Sequence, residues 1–136
     1  MKLDRDYLKG LLEAFEKSEK PYTDIQELEK HGYLYKEDQF IFHLQILSDK
    51  GLVIPSNPRS GLGYSLGLNR DVSWSIVPLR LTAQAHEFLA AIRQDSVWNT
   101  IKSDFKEASI DTVISVSKQL AEGWAKKKVD SLLNES

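Results

Sequence analysis

Apolar residues recur at helical spacing through most of the chain and alternate with polar ones in a single stretch near its middle. Leu8, Leu11, Leu12 and Phe15 share one face, which predicts a first helix over residues 4–18, closed by Pro21. Thr23 is placed to N-cap a short second helix, with Gln26 completing a capping box, Ile25 and Leu28 turned inward and Gly32 as the stop. A third helix is predicted over residues 36–50, ended by Gly51. With about 100° between successive residues, Phe40, Leu44 and Leu47 fall in one narrow arc and form its core side.

After Gly51 the pattern changes. Leu52-Val53-Ile54 is a short β-rich run, residues 55–71 are polar and carry Gly61, Gly63 and Gly67, and residues 72–77 alternate as a half-buried strand does. Val53 and Ile76 are therefore expected on paired antiparallel strands. Pro78 marks an edge or bend, and Leu79 and Leu81 continue the strand. Thr82 caps a fourth helix with Ala85, Phe88, Leu89 and Ile92 on one face. Asp95 or Ser96 restarts a helix carrying Val97, Trp98, Ile101 and Phe105, and Ser109 caps the last one. Unbroken at Gly123, that last helix spans about 24 residues, or roughly 36 Å.

Three helices, a strand, a glycine-rich hairpin, a returning strand and a further helix is the order of a winged helix. The fold class is thus mainly α with a small antiparallel β-wing, a winged helix-turn-helix followed by C-terminal helices. A hairpin alone is marginal, so the helices must supply its packing surface. The expected organisation is a winged-helix core over residues 1–82 and a C-terminal helical extension over residues 83–136 packed on it as one compact domain. His43-Leu44-Gln45-Ile46-Leu47-Ser48-Asp49-Lys50-Gly51-Leu52-Val53 resembles the third helix and first wing strand of many winged-helix regulators. Leu79-Arg80-Leu81-Thr82 followed by Phe88-Leu89 resembles their last wing strand and the helix after it. Leu81-Thr82-Ala83-Gln84-Ala85-His86-Glu87-Phe88-Leu89-Ala90-Ala91-Ile92-Arg93-Gln94-Asp95-Ser96-Val97-Trp98-Asn99 is similar to the signature of domain of unknown function 2513, a family of phage and prophage proteins. Leu3-Asp4-Arg5-Asp6-Tyr7-Leu8 and His43-Leu44 are similar to it too. The resemblance covers most of the chain. It departs from the family at Ala85, where Gly is expected, and in a longer wing. It implies a winged helix in a mobile-element setting and brings neither catalytic residues nor a ligand.

Composition narrows the chemistry. With 41% hydrophobic and 28% charged residues, the chain is an ordinary globular one. It holds no cysteine, which removes disulfides and thiolate zinc sites. The charged start carries no apolar leader, and no apolar run is long enough for a membrane, so a cytoplasmic protein of a bacterial host cell is expected. A net charge of −2 and a pI near 5.9 count against non-specific nucleic-acid affinity and leave room for a local basic patch.

His31, His43 and His86 sit on three separate elements without ligand spacing, so no metal and no cofactor are expected. His43 and His86 are expected as partly buried helix residues and His31 as a surface residue. The glycine-rich run lacks the Lys of a phosphate loop and leads into a strand, so a hairpin explains it. No nucleophile–base–acid trio is placed by local spacing, and an enzyme is not expected. The third helix presents Asp38, Phe42, Gln45, Ile46 and Asp49 opposite its core side. Gln45 is able to read a base edge, but the two aspartates repel phosphate. Two readings stay open. One is protein recognition through Phe42, Gln45 and Ile46, with a homodimer through Val113, Leu120 and Trp124 of the last helix. The other is double-stranded DNA contacted by Lys36, Gln39, His43, Arg59 and Arg70. Phe42 and Ile46 need a cover in either case: the chain's own C-terminal helix, a second copy or a foreign protein.

Overall fold

The computed structural model describes residues 1–135. They form two compact units, one of residues 1–85 and one from His86 onward. The architecture is mainly helical with a small antiparallel β-wing.

In the first unit, α1 (Arg5–Glu16) is capped by Asp4, whose carboxylate accepts from the Tyr7 amide at 3.0 Å. α2 (Ile25–Lys30) is capped by Asp24, which accepts from both Gln26 N–H and Glu27 N–H at 2.9 Å. The expected Thr23 cap is thus displaced by one residue. A carboxylate bonds two amides at once and adds charge to the positive helix end. Thr23 does something else: its N–H and C=O each bond Leu79 at 2.8 Å, an antiparallel bridge on the outer edge of the sheet. α3 (Asp38–Asp49) ends at Lys50, and Gly51 follows at φ 68°, where a side chain would be strained.

Two short β-ribbons follow instead of one long hairpin. β1 (Val53–Pro55) pairs with β4 (Leu79–Leu81), with Val53 opposite Leu81. β2 (Tyr64–Leu66) pairs with β3 (Val72–Trp74) and forms the wing. The expected pairing of Val53 with Ile76 is incorrect. Ile76 lies outside both ribbons and is 55% exposed. The wing ladder ends at Gly63, which accepts from the Ser75 amide at 2.6 Å, and Pro78, lacking an N–H, joins the other ribbon only by accepting from the Ser56 amide at 2.9 Å. The polar stretch before the returning strand also contains a 3-10 turn, Pro58–Ser60, and the strand β2.

The predicted core is found. Leu8, Leu11, Leu12, Ile25, Leu28, Phe40, Leu44, Leu47, Val53 and Leu79 are all at most 2% exposed. α1 packs on α2 and β4, and α3 packs on β1. Thr82 joins the ribbon to the next helix by donating to Gly51 C=O at 2.8 Å and accepting from the Ala85 amide at 3.3 Å.

α4 (Ala83–Ile92) crosses the boundary between the units. In the second unit α5 (Asp95–Asp104) packs on α6 (Ile110–Asn134) and buries Val97, Trp98 and Ile101. Ser109 caps α6, which runs through Gly123 unbroken for 25 residues. No helix among the described residues is long and apolar enough to cross a membrane.

Candidate functional site

Most of the expected contact residues fall on or beside α3 and the wing. The wing folds back onto the helix. Gln45 donates from Nε2 to the Tyr64 hydroxyl at 3.0 Å. Trp74, opposite Tyr64 in the ladder, meets the Tyr64 ring at 5.5 Å and the Phe40 ring at 5.7 Å, both edge-on. Tyr35 also meets the Trp74 ring, at 6.1 Å. Of the twelve residues of α3 only Asp38 and Asp49 are exposed.

The expected contacts divide accordingly. Phe42 and Ile46 are half-buried, so they do not form an open apolar face, and Gln45 is spent on Tyr64. His43 is removed from the DNA-contact set because it is fully buried. Its Nε2 accepts from the Asp4 amide at 2.9 Å and its Nδ1 lies 2.8 Å from Gln39 C=O, which assigns the ring proton to Nδ1. The ring packs on Tyr7 at 4.6 Å and Phe42 at 5.1 Å. His43 is a structural staple between α1 and α3. His43→Leu is expected to cost about 1–3 kcal/mol by stranding the Asp4 amide. His43→Gln, which keeps an acceptor, is expected to cost less. Urea denaturation of both variants checks the order, and equal losses would remove the staple role.

Gln39 is half-buried and reaches Asp4 at a long 3.5 Å. Lys36, Arg59 and Arg70 are exposed, before α3, in the 3-10 turn and at the wing tip respectively. Arg70 is the one non-glycine residue among those described with positive φ, at 66°. His31 and His86 are exposed, so the expected partial burial of His86 is incorrect. Among the described residues no three of His, Cys, Asp and Glu converge on a metal position. Burial, with Glu37 and Tyr33 nearby, pushes the Tyr7 hydroxyl up to about 12.

The dimer surface expected on α6 also changes. Val113 is 1% exposed and already buried, so it offers nothing to a second copy, while Leu120 and Trp124 are half-buried. The apolar residues exposed at the end of α6 are Val129, Leu132 and Leu133. They lie about 100–200° around the helix from Val113 and do not continue its stripe. Tyr64, Trp74 and Tyr35, which meet at the α3–wing contact, are absent from the candidates drawn from local pattern. The available signal is the apolar–polar alternation that begins at Val72 and carries Trp74.

Residues 2–111 match the profile of a family described as hypothetical protein (DUF2513). The chain belongs to the DUF2513 family. An uncharacterised protein of Haemophilus influenzae strain Rd is 35% identical to it over 81 residues, a stretch covering 60% of this chain and 60% of that relative. No solved structure matches. The matched DUF2513 region takes in α1 through α5, both ribbons and the first two residues of α6. The α3–wing contact therefore belongs to the family region, and nearly all of α6 lies beyond it.

Proposed function

We propose that this DUF2513 chain is a non-enzymatic recognition module of winged-helix type that binds a protein partner and thereby regulates host or phage machinery. One observation carries this reading: Gln45, the residue of the outward α3 face able to read a base edge, is bonded to Tyr64 of the chain's own wing. Charge supports it. Residues 1–85 hold eleven Lys and Arg against twelve Asp and Glu, and residues 86–136 hold seven against eight, so neither unit is basic overall. Duplex DNA rewards neutralised phosphates, and a module without basic excess gains little from them.

A sequence-specific DNA-binding regulator is the second reading, favoured by Arg59 and Arg70 standing exposed on the wing side. A mobility shift on fragmented genomic DNA near 0.15 M salt separates the two. The expected result is no discrete complex at micromolar protein. A specific complex at about 10⁻⁸ M or tighter, lost in Arg70→Ala, would establish the DNA reading instead.

A further inference from the structure

The wing is longer than the helix surface it covers. Side chains two apart along a strand share a face. The register pairs Tyr64 with Trp74 and Leu66 with Val72, so all four lie on the face that meets α3. Tyr64 meets Gln45 and Trp74 meets Phe40, and Trp74 stays half-buried with part of its surface on the cleft. Leu66 and Val72, one step nearer the tip, are left 66% and 37% exposed. Val72 and Trp74 overhang a cleft of about 250 Å³ whose opposite wall is the start of α3 and the Tyr35 segment before it.

This cleft has an apolar roof and a charged rim. Glu37, Asp38 and Asp71 line it, and none of the three carboxylates has an ion-pair partner among the described residues. Lys36 and Arg70 line it as well, which leaves the rim at net −1, and their long stems let the cationic heads move out to water. The carboxylates do not converge as metal ligands do, so a compact cation is a poor fit. The volume is below the roughly 300–1,000 Å³ of small-molecule sites, which suits a single side chain. An arginine meets every condition: an aliphatic stem for Val72, a planar cation for the Trp74 ring, and donors in several directions for separated carboxylates. We propose that the overhang is the docking cleft for an arginine side chain presented by a partner protein, an inference that rests on the protein-recognition reading above.

The test is an amide-resolved NMR titration of the full chain with N-acetyl-arginine methylamide. Saturable shifts are expected at the Trp74 indole N–H and the Val72 amide, with none from N-acetyl-glutamine methylamide. In the double variant Asp38→Asn, Asp71→Asn the affinity is expected to fall at least about fivefold, since exposed charge contacts are individually modest. Both residues are exposed, so the variant is expected to melt with the parent chain. Absence of saturable shifts at Trp74, equal shifts from the glutamine compound, or the same shifts from inorganic phosphate would overturn the arginine cleft. Crosslinking in the native host separates the two levels. A partner captured equally by the parent chain and the double variant overturns the cleft and leaves protein recognition standing. A tight, specific DNA complex in the mobility shift overturns protein recognition itself.

Discussion

Phe40→Ala is expected to lower the unfolding free energy by about 3–5 kcal/mol, the range for a fully buried aromatic truncated in a core. Phe40 is 0% exposed and lies in one arc with Leu44 and Leu47, so its truncation leaves a cavity in a close-packed interior. The same ring supports Trp74 at 5.7 Å, which makes the residue a hinge between core and wing. The loss should therefore show in two observables. Urea denaturation followed by circular dichroism should report the reduced midpoint, and Trp74 should become more accessible to a fluorescence quencher before the global transition. Leu44→Ala, equally buried but without a ring to meet Trp74, is the comparison. It should cost about 2–5 kcal/mol and leave Trp74 shielded until the chain unfolds. A Phe40→Ala loss under about 1 kcal/mol would contradict the core position assigned to the ring, and unchanged quenching would contradict its support of the wing.

The helices and the core are legible in the sequence because their signals are local. Leu8, Leu11, Leu12 and Phe15 on α1, and Phe40, Leu44 and Leu47 on α3, repeat at helical spacing and are buried as that spacing predicts. Ser109 caps α6 as its position before the apolar run implies, and Thr82 accepts from the Ala85 amide as a cap does. What is not legible depends on partners distant in sequence. Tyr64-Ser65-Leu66 is three residues long and flanked by Gly63 and Gly67, so no window is wide enough to mark it as a strand. Its existence depends on pairing with residues 72–74. Gln45 is a plausible base reader on a helical wheel, and only the arrival of Tyr64, nineteen positions later, consumes its amide.

His43 fails for a related reason. It lies three residues after Phe40 and four before Leu47, which places it at the border of the core arc rather than beyond it. A border position is decided by what covers it, and the start of α1 does so through Asp4 and Tyr7. The Thr23–Asp24 pair shows the opposite case, in which local chemistry was sufficient and the stronger cap lay one residue further on. The candidate site was thus only half visible. Lys36, Arg59 and Arg70 are exposed as contacts must be, whereas the cleft beside them requires a wing geometry that no local pattern contains.

Gly63→Ala is expected to unlatch the wing. Gly63 sits at φ 101°, a conformation that costs a non-glycine residue about 1–3 kcal/mol by itself. The added Cβ would also lie 2.5 Å from the Ser75 carbonyl oxygen and 3.1 Å from Val77 Cγ2. The first of these atoms is backbone, so the clash cannot be relieved by a rotamer change. Ser75 also donates its amide to Gly63 at 2.6 Å, so moving the two strands apart breaks the ladder at its root. The wing holds few core residues, and releasing it is cheaper than unfolding the helices. Local opening is the expected response. Limited proteolysis should then cut between residues 61 and 71 several times faster than in the parent chain, with the urea midpoint of the helical core little changed. Gly32→Ala isolates the backbone contribution. Gly32 has φ 95° but no atom within 4 Å of an added Cβ, so that variant should lose stability at α2 and leave the wing closed. Equal wing cleavage in the two variants would show that the Gly63–Ser75 approach does not hold the wing down. Faster cleavage in Gly63→Ala alone, together with loss of the N-acetyl-arginine methylamide shifts, would tie the closed wing to the cleft beneath it.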